Sequence, residues 1–341
     1  MTTAPSGLMT ARRHSATLCI LCFNQERYIG QALEAALSQT GDPIEIIVSD
    51  DGSSDNSVQV AQKIAAEYHG PHCVIVRQTP CNLGTLHHLF DVAELATGDL
   101  LVVGAADDLS LPDRVATLVD VWRREKASAL FSGYGIIDDT GTVVEDFHRF
   151  DDRWLPIHDY LPGRTMVSIH GASSAYDRQA LITLPRPTTR ILFEDTWLTL
   201  ILTLTGGRIR YVDQALVAYR RHTESITNFG ERTRDTRATI AAADQQERRG
   251  AAAYRDVVRS FRDQAIAADL DDRVAMDIVD RDLRFFDAQA TWPRLNWQAR
   301  LTATARARQP WMWRWALLRL MSPTLRVAIA KGRQMARRST T

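Results

Sequence analysis

Two pairs of adjacent carboxylates stand where apolar runs end. Asp50-Asp51 closes EIIVSDD and is followed by Gly52 and Ser53; Asp107-Asp108 closes GDLLVVGAADD and is followed by Pro112. Carboxylate oxygens are hard ligands for Mg2+ or Mn2+, and those ions bridge phosphate oxygens. A plain strand–turn–helix join accounts for part of the first segment, because Gly52 permits a tight turn and Asp55 or Asn56 suits a helix start. It does not account for two adjacent acids at a strand end, where burying either one requires a partner. Asp107 and Asp108 taken alone also suit a solvated loop. Set at the ends of two parallel strands, however, the two pairs would converge on one sheet edge, where a nucleotide diphosphate and its metal would sit. A third acid pair, Glu194-Asp195, opens the apolar helical run EDTWLTLIL, where the helix dipole alone favours carboxylates.

The elements needed to position these groups are legible as alternating patterns. ATLCILCF reads as a strand buried on both faces, Tyr28 to Leu37 as a helix, and Ile44 to Val48 as a second strand. Asn56 to Tyr68 (helix), Cys73 to Arg77 (strand), Leu86 to Ala96 (helix) and Leu100 to Val103 (strand) follow. This alternation predicts an open α/β sheet with right-handed crossovers and ligands at the carboxyl ends of its strands. Ala129 to Phe147 reads as a hairpin around Asp139-Thr140-Gly141, Thr165 to Ala175 as a strand, Glu194 to Thr205 as a helix and Ile209 to Tyr219 as a strand. Arg232 to Asp287 is charged and helical. Cys19 and Cys22 form a C-x2-C, but residues three apart on a strand point to opposite faces, which argues against a shared zinc ion. Four cysteines are too few for a disulfide framework in a chain of 341 residues.

Four motifs in order resemble the inverting family 2 glycosyltransferases of the GT-A fold. CFNQERYIGQAL is similar to their opening strand and turn, Asp50-Asp51-Gly52-Ser53 to their D-D-G-S motif, and Asn82-x-Gly84 to the N-x-G before the third helix. Ala106-Asp107-Asp108 falls where they keep D-x-D, although Ala105 replaces the first Asp of the common D-A-D-D. The resemblance covers roughly residues 16–225. It implies an α/β fold: a GT-A-like, Rossmann-type mixed sheet flanked by helices, here with a helical C-terminal extension. It implies Phe23 and Asn24 beside the base, Asp50 accepting from the base (uracil in a UDP-sugar), and Asp51, Asn82 and Gly84 in the nucleotide-sugar site. Asp107 would contact the ribose, and Asp108 would hold Mn2+ or Mg2+ at the diphosphate. Asp195 would be the general base toward the acceptor hydroxyl, supported by Glu194. Tyr219, Arg221, His222 and Ser225 match the family's Y-x-x-H-x-x-S by spacing, with His222 at the diphosphate or metal and Arg220 or Arg221 as a phosphate donor. A plain surface-loop histidine is the alternative. Gly171 and Ala172 of IHGASSAY would lie on the acceptor side.

The domains expected are residues 1–15 (disordered), 16–230 (catalytic, with 16–108 the nucleotide half and 109–230 the acceptor half) and a basic helical extension, 231–341. With 45% apolar and 24% charged residues the chain can build a real core. Lys plus Arg balances Asp plus Glu at 41 each, but no acid follows Asp287. That acid-free segment holds Trp292, Trp297, Trp311, Trp313 and Trp315. Trp311, Trp315 and Leu318 fall on one helical face between Pro310 and Pro323. Tryptophan with arginine suits an anionic membrane surface beside a glycan or glycolipid acceptor, in cell-envelope polysaccharide assembly. A helix packed on the catalytic domain and a nucleic-acid patch are the alternatives; nucleic acid is not expected as a partner. Neither a signal peptide nor an apolar run of about 20 residues is evident, which predicts a cytoplasmic protein, at most peripheral on the inner face of the cell membrane. Two rival functions remain. A sugar-phosphate nucleotidyltransferase would have a Gly-rich loop after the first strand, where this chain has no glycine before Gly30. A non-catalytic scaffold retaining the fold is favoured by Ala105 alone.

Overall fold

The structure is a computed structural model, and it describes residues 14–148, 160–161, 169–222, 237–307 and 310–321. The expectations for residues 1–13, for Ser225 and for the last twenty residues lie outside the described residues, as does the first part of the strand expected over Thr165–Ala175. The chain divides into two compact units. The first contains residues up to Phe150 with Ile169–Leu184 and Gly207–Arg220; the second contains Asp151–Ser168, Pro185–Gly206 and Arg221–Thr341.

In the first unit, β1 (Ala16–Cys22), β2 (Glu45–Asp50), β3 (Cys73–Gln78) and β4 (Leu100–Ala105) are parallel, in the order β3-β2-β1-β4. Helices α1 (Ile29–Leu37), α2 (Ser57–Glu67) and α3 (Thr85–Leu95) form the crossovers. Burial follows position. β2 has all six residues covered, whereas the edge strand β3 alternates between exposed and half-buried residues. The sheet continues through β8 (Ser174–Asp177), β6 (Ala129–Ile137), β9 (Ile209–Arg220) and the short β5 (Leu109–Ser110), and β7 (Val143–His148) pairs with β6. Contacts of β8 with β4 and with β6 are antiparallel, so the sheet is mixed. Helix α4 (Arg114–Glu125) and the short α5 (Arg178–Ile182) complete the unit.

The β6–β7 hairpin turns where the sequence places it. Asp138 Oδ1 accepts from Thr140 Oγ1 (2.7 Å), Thr142 N (3.0 Å) and Thr140 N (2.9 Å), and these donors, the hydroxyl first, hold its carboxyl below the usual range. One element departs from expectation. Gly171 and Ala172 lie not on a strand but in a 3-10 turn, Gly171–Ser173, and β8 begins only at Ser174. The turn is held from within, Ser173 N donating to His170 O, while Ser173 Oγ donates to Ser132 O at 2.8 Å.

The second unit is helical. It comprises α6 (Glu194–Leu204), α7 (Arg237–Ala267), α8 (Arg273–Thr291), a 3-10 turn at Trp292–Arg294, α9 (Trp297–Ala305) and α10 (Pro310–Leu320). Its core includes Trp197, Val257, Phe261, Val279 and Phe285. Two of its largest buried side chains have their polar atoms paired: Trp197 Nε1 donates to Ser260 Oγ at 2.9 Å and Tyr160 OH to Asp282 Oδ2 at 2.8 Å. Aromatic rings run in contact from Phe193 through Tyr254, Phe286, Phe285 and Trp315 to Trp292. Among the described residues, no helix is long and apolar enough to cross a membrane.

The face expected for α10 needs correction. Met312 and Ala316 are fully buried, and Trp315 packs on Trp292 with its Nε1 donating to Glu247 at 2.9 Å. Arg319 pairs with Asp244 and Glu247. Trp315 therefore points inward, and the exposed apolar face is Trp313, Leu317 and Leu320. The helix carries two apolar stripes, and the acids of α7 pair with the covered one. The side chain of Trp311 lies outside the described residues.

Candidate active site

Strand order reverses between β1 and β4, and the acids of the first unit gather at that switch point. Cys22 at the end of β1 pairs with Asp50, and Leu21 pairs with Ala105. The chain then leaves β1 as Phe23-Asn24 and β4 as Ala106-Asp107-Asp108. Phe23, Asn24, Asp50, Asp51, Asn82, Gly84, Asp107 and Asp108 thus share one edge of one sheet.

Asn24 takes a left-handed conformation (φ 52°) and joins the two first turns. Its Oδ1 accepts from Ser54 N at 3.0 Å, and its N–H donates to Ser53 Oγ at 2.7 Å. Phe23, 44% exposed, is left as an open apolar wall beside them. Asp50 is buried and accepts from Ser53 N (2.7 Å), Ser53 Oγ and Gln78 Nε2 (3.0 Å). Asp51 serves the neighbouring loop: Oδ1 accepts from Leu83 N (2.8 Å) and Oδ2 from Gly84 N (2.9 Å), so this carboxylate fixes the Asn82-x-Gly84 segment at the start of α3. Gly52 has φ +76°, and a Cβ there would stand 2.8 Å from the carbonyl carbon of Cys81. Only glycine lets the two loops pass this closely.

Asp108 is 4% exposed. Its Oδ1 accepts from Arg220 N at 2.8 Å, while its buried Oδ2 has no hydrogen-bond partner. Burial first, and the charge of Asp107 second, hold its carboxyl well above the ordinary range. A cation is what such an orphaned oxygen next to a second carboxylate would accept. Among the described residues no three His, Cys, Asp or Glu side chains form a metal cluster. The pair still fits Mg2+ or Mn2+, because such ions are commonly held by one or two carboxylates with substrate phosphates completing the shell. Of the two acids, Asp107 is the more open. Cys19 and Cys22, by contrast, are buried free thiols pushed up to about 12 by burial, far from the thiolate that zinc requires.

Two arginines hold this edge in place: Arg114, which motif reading passed over, and Arg220, which it offered as a phosphate donor. Arg114 is fully buried, donating to Ser110 Oγ (2.9 Å) and to the carbonyls of Val103 and Ala172. Burial lowers it to about 10, and the nearby Asp108 opposes that shift. The sequence did contain a signal, since Arg114 shares the core face of α4 with Leu118 at i, i+4. Arg220 donates Nε to Asp107 O (2.9 Å), Nη1 to Asp138 O (3.1 Å) and Asp139 O (3.2 Å), and Nη2 to Gln31 Oε1 (2.7 Å). Its guanidinium lies 5.0 Å from the centre of the Tyr28 ring. Four of its five N–H groups are engaged within the protein, so it acts as a pin under the Asp107 turn. Beside this edge Tyr134 stacks on His170 (4.6 Å) and on His148 (5.1 Å), with Tyr219 at 5.2 Å. This cluster brings His170, next to Gly171 and Ala172, into a ring-lined patch, and burial takes His170 down to about 4. No motif announced it, because its members come from four separate segments.

Glu194, Asp195, Arg221 and His222 belong to the second unit. Glu194 and Asp195 occupy the first turn of α6, and Asp195 Oδ1 accepts from Thr196 N at 2.6 Å. Burial, and then the charge of Asp195, push Glu194 up to about 8, so Glu194 is held protonated at neutral pH. Phe193, the residue before them, packs its ring on that of Tyr254, centroids 4.6 Å apart. Arg221 is exposed and His222 buried.

Residues 17–184 match the family model described as glycosyl transferase family 2. The uncharacterized protein Rv1520 of Mycobacterium tuberculosis is 28% identical over 213 residues, which cover 60% of this chain and 58% of that protein; the chain thus spans little more than half of that relative. Among solved structures, TarS 1-349 of S. aureus in complex with UDP-GlcNAc aligns with TM-score 0.53 at 15% identity, over 86% of this chain and 79% of that one. The mannosyltransferase PcManGT of Pyrobaculum calidifontis, in complex with GDP-Man and Mn2+, aligns with TM-score 0.53 at 16% identity, over 94% and 86%. These likenesses establish the GT-A fold, and residues 17–184 of the chain are a glycosyl transferase family 2 region.

Proposed function

We propose that the protein moves a sugar from a nucleotide-diphosphate sugar to an acceptor hydroxyl in a single displacement that inverts the anomeric carbon. The observation that carries this reading is the set of acids at the switch point, with Asp108 keeping a buried oxygen unsatisfied. A carboxylate has about four acceptor positions. Three of those on Asp50 are filled by Ser53 and Gln78, which leaves one for a base N–H such as that of uracil. Phe23 supplies an apolar wall for the base. Asp107 suits the ribose, and Asp107 with Asp108 would hold the divalent ion. When bound, that ion offsets charge on the departing nucleoside diphosphate. Arg221, exposed and beside His222, suits the phosphates. Asp195 takes the acceptor proton, beside a Glu194 that burial keeps protonated. Gly171 and Ala172 offer a backbone turn close to which an acceptor can approach. The acceptor is a glycan or glycolipid precursor of the cell envelope, reached with the helical C-terminal region resting on an anionic membrane surface on its cytoplasmic side.

Purified protein offered UDP-, GDP- and TDP-sugars with Mn2+, Mg2+ or chelator tests this. One donor should be hydrolysed slowly without acceptor, in a metal-dependent reaction that Asp108→Ala abolishes. If calorimetry detects no binding of any nucleotide, the catalytic reading fails and a scaffold role replaces it.

A further inference from the structure

In the helical unit, α7, α8 and α9 line a cavity of about 460 Å3. Arg259 of α7, Arg284 of α8 and Arg306 just beyond α9 stand on it, all exposed and none with an ion-pair partner among the described residues. Leu283, Leu295 and Ala303 give it a half-buried to buried apolar lining, so charge sits at the mouth with carbon beneath. Its one acid, Asp287, lies 3.5 Å from Arg255, which offsets its charge. A cationic mouth on an apolar pocket fits an anionic amphiphile better than a free anion, which would gain nothing from the carbon lining.

The neighbouring surface has the same character. On α9, Trp297 (69% exposed) and Leu301 lie one turn apart, and on α10 Trp313, Leu317 and Leu320 lie at i, i+4 and i+7, all exposed. These two helices pack together in one unit. No acid follows Asp287 to the end of the chain. Exposed tryptophan and leucine beside unpaired arginine is the composition that lies in a lipid interface. We infer that the α7–α8–α9 cavity binds the headgroup of an anionic phospholipid, with Arg259, Arg284 and Arg306 around the phosphate and the first acyl carbons on Leu283, Leu295 and Ala303. The site rests on the membrane-surface reading of the C-terminal region and is independent of the transfer chemistry.

Sedimentation of the full chain with vesicles tests it. Phosphatidylcholine vesicles containing phosphatidylglycerol should carry the protein down, and phosphatidylcholine alone should not. Arg284→Glu with Arg306→Glu should weaken binding by about thirtyfold or more, the loss expected when two basic side chains leave an anionic surface. The control Arg294→Glu with Arg314→Glu makes the same charge change outside the cavity and should weaken it much less. Circular dichroism confirms that each variant is folded. Equal losses in the two double variants would show that attraction is spread over the surface and overturn the pocket, leaving membrane attachment in place. Absence of binding to both vesicle types would overturn pocket and attachment together, whereas donor hydrolysis reports on the transfer chemistry alone. Release of the vesicle-bound protein by millimolar inorganic phosphate (~1–10 mM, at constant ionic strength), or tighter binding to a single-stranded RNA than to the vesicles, would also refute a lipid ligand.

Discussion

Arg220→Lys keeps the positive charge and removes the geometry that makes Arg220 a pin. The guanidinium serves four acceptors on three segments: Asp107 O, the Asp138 and Asp139 carbonyls, and Gln31 Oε1. A lysine ammonium is a point donor and reaches one or two of them. At least two part-buried acceptors then lose their donor, each costing about 1 kcal/mol, the low end for a lost acceptor. The stacked contact with Tyr28 weakens by a further ~0.5 kcal/mol. A loss of about 2.5 kcal/mol is expected. With a denaturant slope of about 3 kcal/mol per molar urea, the unfolding midpoint falls by roughly 0.8 M. Urea titration followed by far-UV circular dichroism measures this, with Arg221→Lys, at an exposed position, as a control that should not move. Donor affinity should fall as well, because Asp107 is no longer held from behind. If Arg220→Lys unfolds at the wild-type midpoint, the pin argument is wrong. If instead it is stable but loses only nucleotide affinity, Arg220 is a phosphate ligand.

Glu194→Gln should change how stability varies with pH. Between the unfolded carboxyl value of about 4.3 and the folded value of about 8, the native state holds a proton that the unfolded state has released, so wild-type stability falls as pH rises through that window. Melting temperatures should therefore show the variant gaining on wild type from about pH 5 to pH 8 and then keeping a constant lead; parallel curves would contradict the raised Glu194. Asp195→Asn should reduce transfer to acceptor by about 100- to 10,000-fold while leaving metal-dependent donor hydrolysis measurable, and equal loss of both reactions would remove Asp195 from the acceptor side. Gly52→Ala combines φ +76° with a 2.8 Å approach to Cys81, and should cost about 1–2 kcal/mol for the left-handed backbone alone, with a matching fall in melting temperature and in donor affinity. An unchanged melt would mean that the two loops separate freely.

The sequence showed most plainly what depends on local order. β1, β2 and β4 could be found because parallel central strands are apolar on both faces, and the acids at their ends stood out against that background. Gly171 and Ala172 were misplaced on a strand because IHGASSAY is apolar enough for either state; the turn there is set by Ser173 reaching Ser132, 41 residues away in sequence. The covered face of α10 was equally invisible, since it depends on Asp244 and Glu247 of α7. Arg114 was missed, and Arg220 was read only as a phosphate donor, for a different reason. A buried arginine whose partners are mainly backbone carbonyls, with one neutral side chain each (Ser110, Gln31), leaves no complementary charge to recognise in a sequence. The ring cluster of Tyr134, His148, His170 and Tyr219 is assembled only by the register of β6, β7 and β9.

The chain of rings from Phe193 to Trp292 links places far apart in sequence. One end stands immediately before Glu194-Asp195, and the other is clasped by Trp315 on the inward face of α10. Rings packed in continuous contact do not loosen one at a time, because each forms a wall of the next one's pocket. The first turn of α6 and the inner side of α10 therefore open and close as one cooperative block. Their amide protons should share a single exchange free energy. A ligand that orders α10 would then lower the entropy still to be lost at Asp195, and whatever orders Asp195 would, by reciprocity, tighten the hold on that ligand.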